Sequence, residues 1–98
     1  MDELFKISIL VKLMCKCTDY DIRGIEGSAY KIWACYLAKK LTAYSDKQIG
    51  SFYKIDSNYM NNQVEHLSIA LLLDPDCKMI ITCIENAFTE LQEINKAA

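Results

Sequence analysis

Ser57, Asn58, Asn61 and Asn62 open the stretch SNYMNNQVEHL, and their types suit one kind of chemistry. An asparagine amide carries a donor beside an acceptor and pairs bidentately with the major-groove edge of adenine, while a serine hydroxyl bonds several base edges. Glu65, one turn farther, can accept from cytosine. Asn58, Asn61, Asn62 and Glu65 fall on one face of a helix. Met60, Val64, Leu67 and Leu71, at steps of four, three and four, form a narrow apolar seam on another. Such a helix buries one side and offers neutral amides on the other. The plainer reading of the same residues is a polar face that keeps a helix wet.

A helix that reads base edges must be held across a second one, and the preceding residues have the rhythm for it. Ser45, with Gln48 three residues on, is a capping box that starts a short helix from Asp46 to about Tyr53. Ile49 is the inward anchor, Gly50 the small residue where two helices meet, and Tyr53 the last inward contact. Lys54 and Ile55 make the turn, and Asp56 caps the next helix, which reaches about Leu72. The spacing over residues 45–72 therefore predicts a helix-turn-helix, a pattern that any tight αα-hairpin shares.

The segment itself is poor in positive charge, so phosphate attraction has to come from elsewhere in the chain. Residues 23–54 carry six bases against Glu26 and Asp46, whereas residues 55–98 carry two lysines against seven acids. The middle is net +4 and the end net −5, an asymmetry concealed in a formal charge of −2. Lys31, Lys39, Lys47 and Lys54 are the expected phosphate contacts, with Arg23 reaching into a minor groove. Lys40 follows Trp33 and Tyr36 on an apolar stripe and is expected to lie over those rings instead.

The remaining elements must position this unit, and their periodicity is helical almost throughout. A first helix from Glu3 to about Cys17 is dense enough in apolar residues to be largely buried. It ends before Thr18-Asp19-Tyr20-Asp21. The link DIRGIEGS follows, with Gly24 and Gly27 available for left-handed turns and Ser28 as the next cap. A central core helix to about Tyr44 uses Ala29, Ile32, Trp33, Tyr36, Leu37 and Leu41. Asp74-Pro75-Asp76 starts a last helix to about Asn95, burying Cys77, Ile80, Ile81, Ile84, Phe88 and Leu91 and leaving Glu85, Glu90 and Glu93 in water. The expectation is a single all-α domain over residues 1–98, of five or six helices around a central helix-turn-helix.

Other functions find little in the chain. There is one histidine, His66, no glycine-rich phosphate cradle and no metal-ligand spacing, so neither catalysis nor a cofactor is expected. Five cysteines inside helical segments read as small buried hydrophobes of a reducing compartment. No apolar run reaches the roughly 18 residues a membrane span needs, and a cytoplasmic location is the expectation. The rival to a reader of DNA is a protein-interaction module with a degenerate helix-turn-helix. A reader with so few phosphate contacts would gain from forming a homodimer or binding beside a protein partner.

ACYLAKKLTAYSDKQIGSFY, residues 34–53, is similar to the pattern A-M-Y-L-x-R/K-x-L-T-x-x-S-L-x-x-I-G-x-x-F of the C-terminal duplex-binding domain of DnaA, the bacterial replication initiator. The likeness extends to Arg23 and Lys31, where that family has basic residues, and to LLLDPD before the last helix. It implies a Trp-repressor-like fold, double-stranded DNA as partner, the second motif helix in the major groove, and a basic loop in the minor groove. The family's reading signature G-R-D-H-S/T-T-V stands here as Lys54-Ile55-Asp56-Ser57-Asn58-Tyr59-Met60, in which only the Asp persists. The bidentate guanine contact of the family's Arg has no counterpart.

Overall fold

A computed structural model describes residues 2–24 and 28–97. It is all-α, with six helices: α1 Asp2–Cys15, α2 Asp19–Arg23, α3 Ala29–Leu41, α4 Asp46–Tyr53, α5 Ser57–Leu73 and α6 Pro75–Ala97. Helix α3 touches all five others, which is why its small residues Ala34, Cys35 and Ala38 have no exposed surface. Around it, α1 packs on α6, α5 packs on both α4 and α6, and α2 bridges α1 to α4.

Local chemistry explains the boundaries. Ser45 Oγ accepts from the Gln48 amide at 3.1 Å while Gln48 Oε1 accepts from the Ser45 amide at 2.9 Å, the reciprocal box expected at the start of α4. Asp56 caps α5 by accepting from Tyr59 N at 3.0 Å, and Asp74 accepts from the amides of Asp76 and Cys77 ahead of α6. Helix α4 closes on a Schellman arrangement: Ile55 N donates to Gly50 O and Lys54 N to Ser51 O, with Lys54 left-handed at φ 58°.

Several expectations change. The segment after α1 is not a plain link, because Thr18 and Asp21 form a second reciprocal capping box that starts α2. Gly24 is right-handed at φ −83°, since it continues the last turn of α2 and donates to Tyr20 O; Gly27 lies outside the described residues. Ser28 precedes α3 without a side-chain cap bond. Helix α3 stops at Leu41, where Thr42 turns extended and Tyr44 swings away to donate its hydroxyl to Glu3 at 2.6 Å. Helix α1 is only half buried: Leu4, Ile7, Leu10 and Val11 face the core, but Phe5, Ile9, Leu13 and Met14 face out. Glu85 is not simply in water, because it pairs with Lys40 at 3.0 Å, and Leu91 is exposed.

Candidate nucleic-acid interface

The contact between α4 and α5 depends on Gly50. A methyl group there would lie 2.7 Å from the Ile55 carbonyl oxygen, well inside contact distance, so only glycine lets the turn fold back this closely. Ile49, Tyr53, Ile55, Met60 and Val64 fill the inward side and are buried. Tyr53 also ties the unit to α1: its hydroxyl donates to Leu4 O at 3.1 Å and lies 3.1 Å from Ser8 Oγ. Burial pushes its ionisation above the usual tyrosine range, so the hydroxyl keeps its proton.

The outward arc of α5 carries Asn58 and Asn62, both exposed, with Glu65 a turn farther and Tyr59 beside them. Ser57 is half-buried beneath Gly50. Asn61 differs from its neighbours. Its amide donates to Asp46 Oδ2 at 3.0 Å and its oxygen accepts from Lys39 Nζ, so it fastens α5 to α3 and α4. The base-reading role expected of Asn61 is therefore corrected to an interhelical one, because both halves of its amide are already engaged.

The bases divide three ways. Lys31 is buried with no exposed surface, so it cannot meet a phosphate as expected. Lys39 borders the asparagine face but is engaged by Asn61 and by Asp46 at 3.5 Å. Arg23 is half-buried, its guanidinium 4.4 Å above the Phe52 ring and its Nε donating to Phe52 O at 3.2 Å, which holds it at the C-terminal end of α4 rather than on a free arm. Lys47 and Lys54 are exposed, and their side chains make no hydrogen bond or ion pair among the described residues. Lys40 does lie toward the Tyr36 ring, at 5.9 Å, and its hydrogen bond to Glu85 raises its pKa.

Two groupings result. Arg23 and Lys54 line one shallow concavity with Asp19, Tyr20 and Gly24 beside the motif turn. Lys39, Asp46 and Asn61 meet where α3, α4 and α5 converge, with Lys47 next along α4. Carboxylates are interleaved with both, but Asp56 faces its own helix N-terminus, where the dipole favours a negative charge. The Phe5–Phe52–Arg23 cluster, with the two rings edge to face at 4.9 Å between centroids, was not visible in the sequence, where Phe52 stood only as part of a matched pattern. Lys54 takes the left-handed conformation that glycine adopts most readily.

Compared with known proteins, the chain matches no family model, no curated protein and no solved structure.

Proposed function

We propose that α4 and α5 bind double-stranded DNA, with the first two turns of α5 in the major groove and Asn58, Asn62 and Ser57 toward base edges. The observation that carries this is the meeting of Lys39 with Asn61, which sets the positive middle of the chain beside the asparagine-bearing start of α5. Lys47 and Lys54 flank that face as phosphate contacts, and Arg23 stands beside Lys54 at the turn. The acids of the C-terminal third belong largely to α6, which packs on α1, α3 and α5. The resemblance to the DnaA duplex-binding domain supports the same reading, together with a Trp-repressor-like topology and a regulatory or replication-related role.

Charge sets the strength of this binding. Two exposed lysines release about two counterions, for a slope of roughly −2 in log affinity against log salt. Affinity is then modest, and sequence preference rests on the asparagines rather than on the backbone. Selection of bound duplexes from a random pool at low salt tests the proposal. Asn58→Ala is expected to abolish sequence preference and Lys47→Ala to weaken all duplexes alike. A pool that stays unenriched at every salt concentration overturns the reading. It would favour instead a protein-interaction module, for which the exposed corner of Ile69, Leu72, Leu73 and Met79 is the relevant surface.

A further inference from the structure

On the side of α1 opposite its buried residues, Phe5, Ile9 and Leu13 recur at four-residue steps and are 53%, 54% and 67% exposed. A monomer gains nothing by keeping such a stripe in water. The residues that bracket it are charged and of opposite sign: Asp2 at the front and Lys16 just past the helix end, both exposed. Neither makes a hydrogen bond or ion pair among the described residues.

Read along the helix, the face runs acid, aromatic, aliphatic, aliphatic, base, with Ile9 at its midpoint. Turned end for end, it is its own complement. We infer that α1 is a homodimer interface, pairing antiparallel with α1 of a second copy across a twofold axis at Ile9. Phe5 then lies level with Leu13 of the other copy, Ile9 with Ile9, and Asp2 with Lys16. A parallel arrangement would instead set Asp2 against Asp2 and Lys16 against Lys16, so charge selects the antiparallel one. The opposed helix dipoles favour it as well.

Two further lysines fall at matching levels, and the fold gives each a partner within its own chain. Lys6 donates to Gln92 on α6 at 3.1 Å, and Lys12 pairs with Asp19 at the start of α2 at 3.3 Å, on the opposite flank. The cleft beside the stripe, whose lining joins Phe5, Ile9 and Leu13 to the charged Lys12, Asp19 and Arg23, leaves room for side chains of the second copy to interdigitate, with the Lys12 charge met by Asp19. A single-helix seam lies well below the roughly 800 Å² per partner of a stable interface, so the dimer is weak and reversible, with a dissociation constant on the order of 100 µM.

This inference does not rest on the DNA reading. Sedimentation equilibrium of the whole chain, from about 10 µM to about 1 mM, is expected to show a monomer–dimer equilibrium. Ile9→Glu sets two carboxylates together at the twofold axis and should weaken the dimer about thirtyfold while leaving the helical circular dichroism unchanged. Asp2→Lys and Lys16→Asp should each weaken it about threefold, and the two combined should restore it. A chain that stays monomeric at about 1 mM, a dimer indifferent to Ile9→Glu, or a double reversal no better than either single one overturns the assignment.

Discussion

Asn58, Asn61 and Asn62 are the same residue type within five positions, yet the fold gives them different work. Asn61 donates to Asp46 and accepts from Lys39, joining three helices, while Asn58 and Asn62 face outward. Its removal leaves a partly buried carboxylate and an ammonium short of a partner, and such a bond is worth about 1 kcal/mol. Asn61→Ala is therefore expected to lower stability by about 1 kcal/mol in urea titrations, whereas Asn58→Ala and Asn62→Ala stay within about 0.5 kcal/mol. Equal losses at all three positions would contradict the distinction. Cys35 illustrates the same dependence on surroundings: burial pushes its thiol up to about 12, and that of Cys15 to about 11, so neither is a thiolate near neutral pH. Both act as small apolar side chains, whereas Cys83 is exposed on α6.

At the scale of elements, the turn between α4 and α5 is where packing and backbone strain meet. Gly50 admits the Ile55 carbonyl, while Lys54 carries the left-handed conformation that the Schellman arrangement requires. A left-handed non-glycine residue costs about 1 kcal/mol, so Lys54→Gly should raise stability by a similar amount and raise the thermal midpoint. A loss of stability would mean that the lysine side chain contributes packing that offsets its backbone cost. The starts of α4, α5 and α6 were legible in the sequence because a cap is a local event: Ser45 with Gln48, Asp56, and Asp74 before Pro75 each act within three residues. The Thr18 and Asp21 box has the same form, but the α2 that it starts has only five residues, too few for an apolar periodicity to show. The half-exposed state of α1 was not legible, since apolar density does not say which faces a five-residue α2 leaves uncovered. The candidate site fared similarly. The exposure of Asn58 and Asn62 followed from helical spacing, but the bonds of Lys39 to Asn61 and of Arg23 to Phe52 span 22 and 29 residues, and no local pattern encodes them. The burial of Lys31 was not legible either, since a stripe on α3 cannot reveal that the helix packs on five others.

For the whole molecule, the decisive quantity is the charge left on the α5 face after internal pairing. The middle of the chain is net +4 by sequence, yet burial removes Lys31, Glu85 takes Lys40, and Asp46 with Asn61 takes Lys39. Asp46 is already counted in that +4, so the loss of Lys31 and Lys40 leaves net +2, which accounts for the modest affinity and shallow salt slope expected of a monomer. Asp46 is the residue through which this balance can be shifted. Asp46→Asn keeps an amide oxygen able to accept from Asn61, removes the carboxylate that lies 3.5 Å from Lys39, and adds one unit of positive charge beside the asparagine face. The loss of an acid from the first turn of α4 costs at most about 1 kcal/mol through the helix dipole, so the fold should persist. With the carboxylate gone, Lys39 keeps its bond to Asn61 but its charge is no longer offset, so duplex affinity at low salt should rise several-fold, and the salt slope should steepen by about one, from roughly −2 to roughly −3. Fluorescence anisotropy across a salt series checks both. An unchanged slope would mean that Lys39 does not face the duplex and that the α5 face is not where DNA lies.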